Sequence, residues 1–243
     1  MINVIIPMAG LGSRFSNQGY KVAKPFIPVL GKPMIQNVID NLNLNANYYL
    51  ILRKEHYDLH TDIINNLKLH NPKIKFITIS KVTEGPLSTS LFAHKFINND
   101  QPLLIANSDQ IIDISFSDFV KDAIQKQLDG SILTFFDNNP KWSYVELNEN
   151  NLVIRAVEKI VISNYATAGV YFFRRGDQFL NAAIDLIIEN DRVNNEFYVC
   201  PVYNYMIKTG LKIGIYNVEQ SKMHGIGTPE DLKKYLEFRE KNE

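Results

Sequence analysis

The short apolar run Val4-Ile5-Ile6-Pro7 leads directly into Met8-Ala9-Gly10-Leu11-Gly12-Ser13-Arg14, and this junction restricts the chain more than any other stretch. The run reads as a first β-strand buried on both faces. Gly10 and Gly12 let the backbone turn tightly and approach a ligand closely, and the N–H groups of such a turn form a concavity suited to anions. Arg14 and Lys24 add positive charge, and Pro25, Pro28 and Pro33 stiffen the stretch up to Ile35. A guanidinium grips phosphate oxygens with paired hydrogen bonds. The segment therefore reads as a rigid basic loop for a polyphosphate, with a glycine-containing turn and solvated charges as the plainer alternative. Two better-known glycine loops do not fit. The dinucleotide fingerprint wants a third glycine where Phe15 stands, and an acidic residue about 20 positions on, whereas the second strand ends at Arg53. The Walker A loop wants Ser or Thr after Gly-Lys, but Pro33 follows Gly31-Lys32.

After the loop, apolar residues at Met34, Ile35, Val38, Ile39 and Leu42 predict a helix over 34–44. Strands are predicted at 48–52, 74–79 and 103–106, with helices at 55–67 and 87–96 between them. Such alternation implies a parallel sheet covered on both faces. Ligands of these sheets sit outside the carboxyl ends of the strands, where both the Gly10 loop and Asp109 fall. Beyond Asp129-Gly130 the pattern changes. The stretch 132–136 continues the sheet, and alternating strands at 143–147 and 152–157, joined by Asn148-Glu149-Asn150-Asn151, predict a hairpin in a small β-rich acceptor region. A strand at 166–173 contains Gly169, which permits close approach. Helices at 179–188 and 202–207 and a strand at 211–216 follow, and Thr228-Pro229 opens a last helix. The expectation is one α/β domain over 1–243, an α/β/α sandwich with a mostly parallel central sheet, divided into a nucleotide-binding half (1–130) and an acceptor-binding half (131–243).

Charge narrows the partners. Lys plus Arg and Asp plus Glu are 26 each, so the net basic field of a nucleic-acid or membrane-surface binder is missing. No apolar run approaches the roughly 18 residues of a membrane span, and the N-terminus lacks a charged region followed by an apolar one. Cys200 is the one cysteine, which rules out an intramolecular disulfide and suits a reducing, cytoplasmic compartment. It reads as a small buried hydrophobe rather than a nucleophile. His56 and His60 stand one helical turn apart without the Glu of a His-Glu-x-x-His site, and read as solvated helix histidines.

Asn107-Ser108-Asp109 follows the fourth predicted strand. A carboxylate there, facing a polyphosphate loop, is what Mg²⁺ needs, since that ion takes one or two carboxylates and completes its shell with phosphate oxygens and water. A turn or helix cap is the competing role for Asp109.

Taken together, Met8-Ala9-Gly10-Leu11-Gly12-Ser13-Arg14-Phe15, Lys24-Pro25, Gly31-Lys32-Pro33-Met34-Ile35, Asn107-Ser108-Asp109, Glu158-Lys159, Ser163-Asn164-Tyr165-Ala166, Gly169-Val170-Tyr171-Phe172 and Gly227-Thr228-Pro229 resemble the signature of the sugar-phosphate nucleotidylyltransferases, in family order and over nearly the whole chain. The resemblance implies a GT-A type of α/β/α sheet and a reaction in which a nucleoside triphosphate and a phosphorylated acceptor give a nucleoside-diphosphate conjugate and pyrophosphate. It implies that Arg14 holds the leaving pyrophosphate, Lys24 the α-phosphate, Asp109 the Mg²⁺ and Lys159 the acceptor phosphate. Met8, Ala9, Gly10, Gly12, Ser13, Asn107 and Ser108 would complete the nucleotide site, with Thr83, Glu84, Gly85, Ser88 and Thr89 framing the base. Glu158, Gly169, Tyr144 and Glu196, together with Trp142 and Glu146, are candidates for the acceptor pocket, although Trp142 and Tyr144 equally suit core packing. An acceptor phosphate is largely a dianion at neutral pH, so the reaction needs charge neutralisation and in-line alignment rather than a general base.

One departure stands out. Much of the family has an aspartate just before the late Gly-Thr as a second metal ligand, but His224-Gly225-Ile226-Gly227-Thr228 has none. The expected metal is therefore held by Asp109, phosphates and water, with His224 a lesser candidate. Overall likeness points to a capsule-pathway cytidylyltransferase joining CTP to L-glutamine phosphate as CDP-L-glutamine. The alternative is a sugar-1-phosphate nucleotidylyltransferase using UTP, dTTP, GTP or CTP. A glycosyltransferase on the same kind of sheet would want Asp-x-Asp where Asn107 opens the motif, and a non-catalytic nucleotide sensor would usually lack one of Arg14, Lys24 or Asp109. Monomer and homo-oligomer both remain open.

Overall fold

The structure, a computed structural model, describes residues 1–242. Strand β1 (Ile2–Pro7) is apolar because both of its faces are covered: Val4 and Ile6 join one core with Met34, Val38 and Leu50, while Ile5 joins the other with Tyr49, Ile105 and Phe179. A small ribbon, β2 (Pro28–Val29) and β3 (Lys32–Pro33), precedes the helix Met34–Leu42. Five buried apolar residues of that helix lie at helical spacing, and Asn43 ends it in the left-handed conformation. Strands β4 (Ala46–Arg53), β5 (Ile74–Ile79) and β6 (Leu103–Ala106) complete a parallel set with β1 in the order β6-β1-β4-β5. Sequence therefore runs from β1 to one side and later returns to the other, leaving a crevice at the carboxyl ends of β1 and β6.

The second half is built onto β6. A short β7 (Gln110–Ile112) is followed by β8 (Gly130–Phe136), the hairpin β9 (Tyr144–Leu147) and β10 (Val153–Val157), and the long β11 (Tyr165–Phe173). β11 runs antiparallel to β6 and splits its partners, pairing β9 through Tyr165 and Ala166 and β8 on either side of a bulge between Thr167 and Tyr171. β12 (Ile213–Val218) lies parallel to β8, and β13 (Met223–Gly225) forms a separate ribbon with β7. Within the nine-stranded sheet β10 and β11 run against the rest, so the α/β/α sandwich around a mostly parallel sheet is what forms. Tyr203, on the helix Val202–Lys208, stacks on Phe173 with ring centroids 4.7 Å apart and donates a hydrogen bond of 2.9 Å to the Phe172 carbonyl. Each such fully buried aromatic contributes roughly 1.5–3 kcal/mol by burial. Among the described residues no helix is long and apolar enough to cross a membrane.

Several local expectations are corrected. The helix expected over 55–67 is two helices, Lys54–Leu59 and Thr61–His70, because His60 leaves the helical region at φ −125, ψ 40 and lays its ring on Phe26 at 4.9 Å. His56 is not solvated: it is only 6% exposed and its Nε2 meets the Arg53 guanidinium. The helix expected over 87–96 breaks into Pro86–Ser90, a 3₁₀ turn and His94–Ile97. Hydroxyls of Thr89 and Ser90 donate back to the carbonyls of Gly85 and Pro86 at 3.1 and 2.8 Å, a pattern that bends helices. The helix Phe116–Gln125 was missed, although Ser115 caps it by accepting from Asp118 N at 3.2 Å.

Burial, reinforced by Arg53, holds the His56 imidazole below its ordinary value of 6.5. A pKa depressed in the fold adds stability that is present above about 6.5 and is lost as pH falls through the folded value. Denaturant midpoints taken at pH 7.5 and 5.5 are therefore expected to show a loss on the acid side, at most about 1.4 kcal/mol per pH unit from this one group. His56→Gln is expected to reduce that difference.

Candidate active site

Two cavities adjoin at the crevice between β1 and β6. The first, of about 430 Å³, is lined by Met8, Ala9, Gly10, Gly12 and Ser13 from the β1 loop, by Lys24, by Thr83, Gly85 and Thr89, and by Asn107, Ser108 and Asp109. The second, of about 230 Å³, is lined by Arg14, Trp142, Ser143, Glu158, Thr167, Gly169 and Tyr198, among others. Pro86, Asn107 and Asp109 belong to both walls. Asp109 therefore stands where the contents of one cavity meet those of the other.

The local sequence explains this placement. β1 delivers its loop and β6 delivers Asn107-Ser108-Asp109 to the same end of adjacent strands. Gly12, left-handed at φ 64, starts the one-turn helix Ser13–Ser16, and the 3₁₀ turn Lys24–Phe26 returns the chain so that the Lys24 ammonium pairs with the Asp109 carboxylate. Both side chains are 21% exposed. Gly85 lies so close to the neighbouring segment that a Cβ there would stand 2.4 Å from the Phe197 carbonyl oxygen. Leu87 N donates to that same oxygen at 3.0 Å, and Phe197 N donates to Glu84 O at 2.7 Å.

On the wall of the second cavity Glu158 is 6% exposed and accepts a hydrogen bond from Ser143 Oγ. Burial pushes its carboxyl above the ordinary range, against the pull of Ser143 and of the Lys159 charge. Lys159 donates to the Tyr198 hydroxyl and lies 4.5 Å from the centre of that ring, and Tyr198 in turn donates to the Glu196 carboxylate. Burial and Glu196 together drive the Tyr198 phenol far above its usual range. Tyr198 thus ties Lys159 to Glu196, a role the sequence reading missed although Tyr198 is two positions from Glu196.

Other expected site residues lie elsewhere. Tyr144 faces the core, fully buried, because strand alternation on β9 turns it inward and its hydroxyl donates to Asn139 O at 2.7 Å. Glu84 and Ser88 stand outside both cavity walls: Glu84 pairs with Arg192 at 3.0 Å and Ser88 Oγ donates to Glu84 O at 3.3 Å. Glu196 lines the first cavity rather than the second, and Arg14 the second rather than the first. Neither Glu146 nor Lys159 lines either cavity. His224 alternates with Gly225 on β13 and turns away from both cavities, pairing with Asp113 at 2.9 Å and packing on Phe238 at 4.6 Å. Cys200 is buried, and burial pushes its thiol well up, which suits packing and not attack.

The donors suit a hard divalent cation. Asp109 presents a carboxylate between the cavities, and a cation already sits on it, the Lys24 ammonium. A Cβ on Gly227 would lie 2.5 Å from Asp109 Oδ2, so a bare backbone there leaves the carboxylate its room. Among the described residues no cluster of at least three His, Cys, Asp or Glu side chains forms a metal cage. That is compatible with Mg²⁺, which completes its shell with phosphates and water. Asp231, in the cap of the last helix, lines the second cavity with Asp109 while its Oδ2 accepts from Thr228 Oγ1 at 2.7 Å.

Comparison with known proteins agrees with this geometry. The chain is similar to the bifunctional protein GlmU of Methanococcus aeolicus, 30% identical over 175 residues, which covers 71% of this chain and 40% of that protein. It is 26% identical over 180 residues to the mannose-1-phosphate guanylyltransferase catalytic subunit beta of Dictyostelium discoideum, covering 71% of this chain and 49% of the relative. The chain thus spans about half the length of the curated relatives it matches. In fold it is similar to the crystal structure of the nucleoside-diphosphate-sugar pyrophosphorylase from Vibrio cholerae RC9, with a TM-score of 0.83 at 21% identity over 96% of this chain and 99% of that one. The nucleotidyl transferase family matches residues 3–241, and the chain belongs to that family.

Proposed function

We propose that the chain is a sugar-phosphate nucleotidylyltransferase, taking a nucleoside triphosphate and a sugar 1-phosphate to a nucleotide sugar and pyrophosphate. The observation that carries this reading is the shared wall: Asp109, with Lys24 on it, stands between a cavity built on the glycine loop and a cavity flanked by Arg14 and Glu158. The name of the Dictyostelium relative, a mannose-1-phosphate guanylyltransferase, supports a sugar phosphate as acceptor.

In this reading the triphosphate lies along Met8–Ser13, with its base toward Thr83, Gly85 and Thr89. An oxygen of the acceptor phosphate attacks the α-phosphorus in line. A new P–O–P linkage forms as the bond from the α-phosphorus to its bridging oxygen breaks, and that oxygen departs with pyrophosphate. Two anions must meet, so the work of the protein is alignment and charge neutralisation. Lys24 turns from Asp109 to the α-phosphate, and Arg14, on the wall of the second cavity, reaches the phosphates from that side. Lys159 swings from Tyr198 to the acceptor phosphate. A divalent cation held by Asp109 and phosphate oxygens would supply further charge neutralisation when bound. In this reading the first half of the chain supplies most of the nucleotide cavity, and both halves supply the acceptor cavity.

A second reading keeps the chemistry and exchanges the substrates for CTP and L-glutamine phosphate, giving CDP-L-glutamine for a capsular polysaccharide. The carboxylates of Glu158, Asp109 and Asp231 around the second cavity favour it, since they suit an ammonium group.

Pyrophosphate release with Mg²⁺, crossing CTP, UTP, dTTP, GTP and ATP against glucose 1-phosphate, mannose 1-phosphate and L-glutamine phosphate, separates the readings; release with no pair counts against both. Lys24→Ala and Asp109→Ala are each expected to cost about 2–4 kcal/mol of transition-state stabilisation in kcat/KM. Gly169→Ala is expected to lower both activity and the thermal midpoint, because φ is +71 and a Cβ there would stand 2.3 Å from the side-chain amides of Asn107 and Gln110.

A further inference from the structure

Gln110 opens β7, directly after Asp109, and pairs across the ribbon with Gly225. Its side chain lines the second cavity, and its Oε1 is buried without a hydrogen-bond partner. In the unliganded chain water does not reach this oxygen, although the side chain borders the cavity. Gly225 carries no side chain opposite it, and Gly169 occupies the bulge of β11 with φ +71, where a Cβ would stand 2.3 Å from Gln110 Oε1. The amide therefore lies directly against the bare main chain of Gly169. Buried acceptors in folded proteins are nearly always paired, and an orphan one is costly, so a partner that arrives with a ligand accounts for the arrangement.

An amide oxygen accepts and does not donate. Its partner must carry an O–H or N–H, which the phosphate group of a monoester dianion lacks. We infer that Gln110 reads the organic part of the acceptor, its buried side-chain oxygen accepting a hydrogen bond from a hydroxyl or amino group while the phosphate is held elsewhere. This rests on the second cavity being the acceptor site. Gln110 thereby becomes a specificity residue: sites built to bond a substrate O–H or N–H reject analogues that lack it, because the protein group is then left unpaired. The residue also sits beside Asp109, so recognition of the acceptor and the reacting centre share one short strand.

The test compares wild type, Gln110→Leu and Gln110→Glu in the full chain. Calorimetric titration uses glucose 1-phosphate, mannose 1-phosphate, L-glutamine phosphate and, as the probe without hydroxyl or amine donors on carbon, orthophosphate. Thermal midpoints are measured without ligand. For at least one organic phosphate, Gln110→Leu is expected to weaken binding by about tenfold and leave orthophosphate affinity and the KM for the triphosphate unchanged. Gln110→Glu, which keeps an acceptor oxygen, is expected to retain most of the binding. The unliganded Gln110→Leu chain is expected to melt higher, since an orphan acceptor has been removed; a Gln with a structural role would lower the midpoint instead. If every organic phosphate that wild type binds is bound equally by Gln110→Leu, the inference alone is overturned. Parallel loss of orthophosphate or triphosphate binding also overturns it, because Gln110 would then serve the phosphates or a cation. A wild-type chain that binds every organic phosphate no better than orthophosphate overturns both the inference and the acceptor reading beneath it.

Discussion

The parallel pairing of β1 with β6, in the register Asn3↔Leu103, Val4↔Leu104 and Ile5↔Ile105, is the constraint on which the rest of the molecule depends. It brings together two segments about a hundred positions apart in sequence and ends them at the same level. The glycine loop leaves one strand and Asn107-Ser108-Asp109 leaves the other, so Lys24 and Asp109 become an ion pair across 85 residues. Burial of both faces of β1 makes the register strict, since a slip of one residue would exchange Ile5 with Val4 and Ile6 between two cores.

Around that seam the charged groups are held in reserve. Lys24 rests on Asp109, and Lys159 rests on Tyr198 and, through it, on Glu196. An ammonium held by one carboxylate or one phenol can exchange that contact for another oxygen acceptor such as a phosphate. Fixed cations in a partly dehydrated cleft are worth more to a developing anion than the same charges in water. Glu158 is held differently, buried with Ser143. Close backbone approach at Gly85, Gly169 and Gly227 lets the walls of both cavities be main chain, with side chains reserved for charge and hydrogen bonding.

The second half shows how one strand can serve fold and site together. β11 joins β6, β8 and β9, and its bulge at Thr167–Tyr171 interrupts the ladder at the second cavity. Bulges re-aim side chains where a ladder would otherwise continue. Here the bulge positions Gly169 over Asn107 and Gln110, and Asn107 N donates to the Gly169 carbonyl at 2.9 Å. The segment after β6 and the bulge of β11, both on the wall of the second cavity, are therefore joined by a main-chain bond.

The sequence by itself determined the βα alternation, the positions of β1, β4, β5 and β6, and the glycine loop that brings Lys24 toward the strand end carrying Asp109. These are local signals: hydrophobic period, glycine, proline and charge within one short stretch each. Tertiary structure alone decided which way side chains point and what lies across the cleft. His56 reads as a solvated helix histidine and Tyr144 as either a pocket or a core residue, and packing buries both. Glu84 and Ser88 sit in the right segment but face Arg192 and their own backbone. Tyr198 and Gln110 carry no signature in the chain, and Asp231 reads only as part of the cap of the last helix, because their places on the cavity wall depend on segments distant in sequence. Periodicity predicts which elements form; only their packing establishes which groups meet.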